Sequence, residues 1–279
     1  MIAPVPSTVS VAEIELQLLL EAVNRFAGYD FRDYAPAFLK RRVAERMRAE
    51  GLRTISALQE RVLHDSEAFD RFIYSLSSRS SELFEEPSLF AELRNIVIPM
   101  LRTFPLVRLW VAGCGRGEEA YSLAILLREA GLSRRARIYA TDLSSTAIAC
   151  AKEGKIHAET LDGAFRRYRE AGGTSTLEDY ISFEGESPSI AASLRENIVF
   201  STHSLVSDGS FNEFHVVICR ELLPQFNKAL AFRAHQVIFE SLIRGGYLAL
   251  GPSESIRMAP NQRCFERVSQ IEQIHRRIR

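Results

Sequence analysis

The stretch Val107–Gly131, "VRLWVAGCGRGEEAYSLAILLREAG", decides the fold. Val107 to Ala112 is a short apolar run bounded by turn residues, the pattern of a buried strand. The loop Gly113-Cys114-Gly115-Arg116-Gly117 follows it, and a helix with Tyr121, Leu123, Ala124 and Leu127 facing inward comes next. A strand, a glycine turn and a helix in that order give a glycine motif its meaning: glycine lets the backbone turn sharply and approach a ligand closely.

The spacing is G-x-G-x-G, whereas a dinucleotide fingerprint is G-x-G-x-x-G with the pyrophosphate on the helix N-terminus. Glu118 and Glu119 open the helix, where two carboxylates repel phosphate and suit a cation. S-adenosylmethionine (SAM) carries a sulfonium and an ammonium group and no phosphate, so the loop fits SAM better than a nicotinamide cofactor. The next strand, "ARIYATDLS", ends at Asp142, whose side chain can accept both ribose hydroxyls.

Outward from this centre the alternation continues. "TAIACAKEG" reads as a helix closed by Gly154, "FHVVICREL" as a buried strand, "AFRAHQVIFESLI" as a helix and "GGYLALGPSES" as a strand. Strands alternating with helices predict an α/β, parallel, doubly wound sheet. From His157 to Asn197 the periodicity fails, which predicts an inserted small subdomain. Upstream, a helix from Pro87 to about Leu101 leads into the first strand.

The N-terminal part reads differently. Residues 1–10, with two prolines and several small polar residues, read as a loose tail. Ser10 and Glu13 have capping-box spacing, and Ile14, Leu18, Val23 and Phe26 are expected to form the buried face of a helix ended by Gly28. A second helix after Pro36 has Phe38, Leu39, Val43 and Met47 apolar, and Lys40, Arg41, Arg42, Arg46 and Arg48 basic. Two short helices, Ser56–Leu63 and Glu67–Leu76, complete a helical domain. The expected division is 10–80 for that domain, 81–106 for a linker and leading helix, and 107–279 for the SAM-binding domain, with the insertion at about 157–197.

Composition sets the outer bounds. The 279 residues hold 35 basic and 35 acidic side chains, so no global field attracts nucleic acid or an anionic membrane. No apolar run is long enough to span a bilayer, and the N-terminus lacks a secretory pattern. Cys114, Cys150, Cys219 and Cys264 are scattered, as expected of free thiols in a reducing cytoplasm. The histidines do not pair at metal-ligand spacing, and no metal site is expected.

These residues together carry a resemblance. "AGCGRGEEAYSLAILL", "IYATDLSSTAIACAKEG", "ENIVFSTHSLV", "FNEFHVVICRELL" and "GGYLALGPSES", in this order, resemble the motifs of the CheR-type methyltransferases. "FLKRRVAERMRAEGL" resembles that family's N-terminal domain, and the likeness runs from about Leu16 to Val268. The family methylates glutamate side chains of bacterial chemoreceptors with SAM. It pairs a helical domain with a Rossmann-like methyltransferase domain that carries a small inserted β-subdomain.

The resemblance implies that Gly113, Gly115, Gly117, Glu119 and Asp142 hold SAM, Glu119 through the amino group and Asp142 through the ribose. It places Ser204 and Leu205 on the adenine side, and Glu221 and Leu222 at the end of the fourth strand. Arg79 and Ser81 fall in the linker's cofactor motif. The basic second helix would face the acidic methylation helices of a receptor-like protein; a solvated amphipathic face is the other reading.

Several motif positions are substituted. In "SLSSRSSELFEEP", Arg79 stands for Asn, Ser81 for Thr and Glu85 for Arg; in "CRELLPQF", Glu221 stands for Asn, Pro224 for Ile and Gln225 for Tyr. Ser204-Leu205 replaces an Asn-Leu pair. Glu85 and Gln225 occupy the family's catalytic positions. A glutamate beside an acceptor carboxylate repels it by roughly 3 kcal/mol at about 5 Å and an effective dielectric near 20. Two arrangements could accommodate this. Arg79 could pair with Glu221 or Glu85, or Glu85 and Glu86 could simply cap the helix that starts at Pro87. The leading function is a SAM-dependent protein-glutamate methyltransferase in the cytoplasm; the alternative is a catalytically degenerate member acting as a binding or regulatory module.

Overall fold

The computed structural model describes residues 9–77, 81–184 and 187–279. Four helices come first: α1 (Val11–Ala27), α2 (Pro36–Ala49), α3 (Ile55–His64) and α4 (Ser66–Ser77). Ser10 and Glu13 close a reciprocal capping box on α1, and Gly28 ends it in the left-handed region at φ 78°. Pro36 sits in the first turn of α2, where its missing N–H costs nothing.

The expected buried face of α1 is corrected. Ile14, Leu18 and Phe26 are exposed, and Leu16, Leu19, Leu20 and Val23 are buried. The segment is apolar on two faces. The i, i+3, i+4, i+7 set makes the broader stripe and takes the core.

A leading helical segment runs through α5 (Pro87–Glu92), a π-helical turn over Leu93–Val97, and α6 (Ile98–Leu101). The α/β domain then follows as β1 (Val107–Ala112), α7 (Glu118–Glu129), β2 (Ala136–Asp142), α8 (Ser145–Glu153), α9 (Leu161–Glu170), β3 (Ile181–Ser182), β4 (Ser189–Ile190), α10 (Ala192–Arg195) and β5 (Ile198–Thr202). It ends with β6 (Phe214–Cys219), α11 (Lys228–Ser241), β7 (Leu242–Leu250), β8 (Phe265–Arg267) and β9 (Gln273–Arg277). The main sheet has the order β5-β2-β1-β6-β7-β9-β8, and β3 and β4 form a separate two-stranded sheet.

The sheet is mixed rather than wholly parallel. Strands β5, β2, β1, β6 and β7 pair in parallel, but β9 runs antiparallel to β7 and to β8. The last two strands are short and charged, with Arg267, Arg276 and Arg277 among their residues. They lack the apolar run that marks the central strands.

Alternation along the strands divides the core. Leu109, Val111, Val216 and Ile218 pack on the side of α7 and the leading helices. Trp110, Ala112, Val217 and Cys219 pack on the other side, in one continuous cluster with Leu19, Val23 and Phe72 of the helical domain. The helical domain is therefore a layer of the fold, and its α1–α2 connection lies against the carboxyl ends of the strands.

Candidate cofactor and methyl-transfer site

In open α/β sheets, ligands bind beyond the carboxyl ends of the strands where the order reverses. Here β1 lies between β2 and β6, so that point is the glycine loop. Gly113, Gly115 and Gly117 have φ of 74°, 53° and 94°, all in the left-handed region. The loop is pinned to β2: Gly113 N–H and Cys114 N–H both donate to Thr141 O, at 2.8 and 2.9 Å. The glycines differ in use. A Cβ at Gly113 would come within 3.3 Å of Leu222 in the cavity wall, while one at Gly117 would meet Phe200, Tyr121 and Ala151 at 3.1–3.2 Å. Gly117 thus lets α7 close on α8 and β5.

Asp142 is 2% exposed. Its Oδ2 accepts from Gly115 N–H at 3.0 Å and its Oδ1 from Ser144 N–H at 2.9 Å. Burial pushes its carboxyl above the usual range, against the pull of those backbone donors. The Ser77 side chain and the Leu143 N–H also bond to it, so the roughly four acceptor sites of the carboxylate are in use, and ribose hydroxyls would bind by displacing the Ser77 hydroxyl.

Asp142 and Gly113 line a cavity of about 30 Å³ with Ser204, Leu205, Leu222 and Gln225. A second cavity, of about 410 Å³, lies outside it. Tyr34, Leu143, His203, Ser204 and Val206 line both. Together they have the room of an ordinary small-molecule site. Ser204 is committed to its own turn: its N–H donates to Asp208 and its Oγ accepts from Ser207 N–H.

Arg220, which carried no role in the sequence reading, organises the acidic side of the cleft. Its side chain is 1% exposed, Nη1 lies 2.5 Å from Glu119 Oε1, and it also pairs with Glu86. Its only signal in the sequence was its place in "CRELL". Of the two arrangements open for Glu85 and Glu86, capping is not made by a side-chain bond from Glu86: it is the N-cap of α5, but its side chain makes no capping bond there. Its carboxylate is drawn to Arg220 instead. Burial raises the Glu86 carboxyl above the usual range, with Arg220 opposing. Glu85 also acts on Arg220 electrostatically. Arg79 lies outside the described residues, and so do its expected pairings.

Ser81 Oγ donates to Glu118 Oε2 at 2.8 Å, so the first of the two glutamates, not Glu119, meets the linker serine. Burial raises the Glu118 carboxyl as well. Glu254, also missed, is 4% exposed and accepts from the backbone N–H of Gly251, Leu222 and Leu223. It fixes the loop after β6. In that loop Glu221 has φ 59°, a strained value for a non-glycine residue.

Gln225 is 8% exposed. Its Nε2 donates to Glu221 O at 3.0 Å, and its buried Oε1 has no partner. Gln225 lines the 30 Å³ cavity and also a groove of about 360 Å³ that it shares with Arg41, Arg42, Glu221 and Pro224.

The basic helix is split by its own ion pairs. Lys40 pairs with Glu13 at 2.7 Å on the α1 side, and Arg48 Nε donates to Ala44 O. Arg42 pairs with Glu45 and Arg46 with Glu50. Arg42 and Arg46 also line a third cavity with Arg116 and Glu118. Arg41 and Arg42 are thus the basic residues of α2 that border the groove at Gln225.

The residues present fit SAM: a buried carboxylate at a strand end beside the cavity, a glycine loop with no side chains toward it, and carboxylates at the start of α7. Residues 79–273 match the family described as "CheR methyltransferase, SAM binding domain", and residues 14–77 match "CheR methyltransferase, all-alpha domain". A Pseudomonas putida protein named "Putative methyltransferase Cher3" is 41% identical over 265 residues, covering 95% of this chain and 97% of that one. A "Chemotaxis protein methyltransferase" of Listeria monocytogenes is 28% identical, covering 84% and 87%. Among solved structures, the glycopeptide N-methyltransferase MtfA complexed with sinefungin aligns with a TM-score of 0.37 at 13% identity, covering 61% of this chain and 50% of that one.

Proposed function

Because this chain belongs to the CheR methyltransferase family and its cofactor is SAM, we propose that it transfers a methyl group to glutamate side chains of a chemoreceptor-like protein. Bound in the cleft, SAM supplies an electrophilic methyl group on a sulfonium.

The observation that carries the reading is the double position of Gln225. It borders the cavity that holds Asp142 and also the groove under α2, so cofactor and acceptor can meet across it. Asp142 would take the ribose hydroxyls, and Gly113 and Gly115 would give the cofactor close access to backbone. Ser204, Leu205 and Leu222 would wall the adenine side. Glu119, paired with Arg220 through Oε1, would keep its second oxygen for the ammonium group, and Ser81 with Glu118 would close the linker side.

A glutamate acceptor has a pKa near 4.3 and arrives ionised at neutral pH, so it needs no general base. The task of the chain is positioning and exclusion of water. Arg41 and Arg42 at the groove supply the charge complement for an acidic helix, and an arginine orients a carboxylate bidentately. Glu85 and Gln225, at positions the family uses for catalysis, carry no cation for the acceptor carboxylate, so orientation falls to α2. Among the described residues no helix is long and apolar enough to cross a membrane, which is compatible with action in the cytoplasm.

The test is transfer of labelled methyl from SAM to cytoplasmic receptor fragments. Base-labile label on glutamate supports the reading. Binding of S-adenosylhomocysteine (SAH) with no transfer to any fragment would favour a regulatory module instead.

A further inference from the structure

Tyr34 belongs to the helical domain, in the connection between α1 and α2, yet it lines the same small cavity as Asp142, Gly113 and Leu205. The connection is tied to the loop after β6. Tyr34 and Phe226 form an antiparallel bridge. Ala35 N–H donates to Gln225 O at 2.8 Å, and Asn227 N–H donates to Asp33 O at 3.0 Å. Asn227 Nδ2 adds a bond to Asp33 Oδ1 at 3.1 Å.

The ring is held from three sides. It meets Phe226 edge-on at 5.1 Å and 89°, Phe31 at 5.0 Å and Phe38 at 6.2 Å. It is 6% exposed, yet its hydroxyl has no hydrogen-bond partner among the described residues. Burial, with the charges of Asp142 and then Asp30, holds this phenol protonated well above the usual range. A phenolic O–H donor therefore borders the cavity that Asp142 also borders.

We propose that Tyr34 is a cofactor-holding residue. Its ring forms the outer wall of the adenosine pocket, and its hydroxyl joins Asp142 in binding the ribose. The helical domain then completes the cofactor site rather than serving only the acceptor. The inference rests on SAM occupying the Asp142 cavity.

The experiment is calorimetric titration of the full chain with SAH, and with its 2′-deoxy and 3′-deoxy ribose analogues. Tyr34→Phe is expected to weaken SAH about threefold to tenfold, the worth of one hydrogen bond. It should lose that penalty against one of the two deoxy analogues. Tyr34→Ala, which also removes the wall, is expected to weaken SAH by about thirtyfold or more. Tyr34→Phe keeps the ring and its packing, so it decides the matter if the alanine variant does not fold. SAH binding by Tyr34→Phe and Tyr34→Ala within twofold of the parent, or tighter, would overturn the proposal and leave SAM binding intact. Absence of SAH binding by the parent would overturn both.

Discussion

Arg220 Nη1 lies 2.5 Å from Glu119 Oε1, and its guanidinium, 1% exposed, is shared with Glu86. One buried cation thus joins the first turn of α7 to the residue before α5. Removing one partner of a buried ion pair strands the others. Arg220→Met is expected to lose about 3–5 kcal/mol of stability, read as a lower urea midpoint at unchanged slope. Adding Glu119→Gln to that variant should recover part of the loss.

Gly117 is a packing glycine, and its replacement tests that directly. A Cβ there would meet Phe200, Tyr121 and Ala151 at 3.1–3.2 Å with φ at 94°. Gly117→Ala is expected to cost about 1–3 kcal/mol through strain and crowding. Thermal unfolding of the free protein would show it without any ligand.

Glu118 makes stability fall as pH rises. Burial lifts its carboxyl above the ordinary 4.5, so between pH 4.5 and its folded value the folded chain holds a proton that the unfolded chain has released. Stability contributed by that proton is lost through this window. Glu118→Gln keeps an acceptor for Ser81 and is expected to flatten the slope, as seen in melts at successive pH values.

His275 acts in the opposite direction. It is 4% exposed, and burial, then the charges of Arg267 and His235, lower its pKa from 6.5 to about 4. Neither ring nitrogen has a hydrogen-bond partner among the described residues. The unfolded chain protonates first as pH falls below 6.5, so up to about 3 kcal/mol is lost on the way to pH 4. His275→Gln should remove this part of the acid limb.

The split of α2 gives an acceptor-side prediction. Arg41 borders the groove at Gln225, whereas Lys40 pairs with Glu13 on the α1 side. Arg41→Glu is expected to weaken binding to an acidic receptor fragment about tenfold at low salt, with the gap narrowing as salt screens it. Lys40→Glu is expected to change it by less than about twofold.

Much was legible in the sequence because it is local. The glycine loop, Asp142 at a strand end, the capping box at Ser10 and Glu13, and the C-cap at Gly28 are all set by neighbours within a few residues. Period and spacing carry such features. The antiparallel β8 and β9 were not legible, since short charged strands at a sheet edge have no apolar pattern. The buried face of α1 was not legible either, because two apolar stripes compete and only packing against α3 and the sheet chooses between them.

The sequence by itself determined the alternating α/β order, the helical domain before it, and a loop suited to SAM. Only the tertiary structure decided which side chains share the cleft. It brought Arg220 to Glu119 across 101 residues, and the bridge to Phe226 carried Tyr34 from the helical layer to Asp142. It also separated Arg41 from Lys40, adjacent in the chain but on different faces of α2. The reason is physical: a strand or a turn is specified by its own residues, whereas a buried charge or a phenolic hydroxyl takes its meaning from partners that only the folded chain brings within hydrogen-bonding reach.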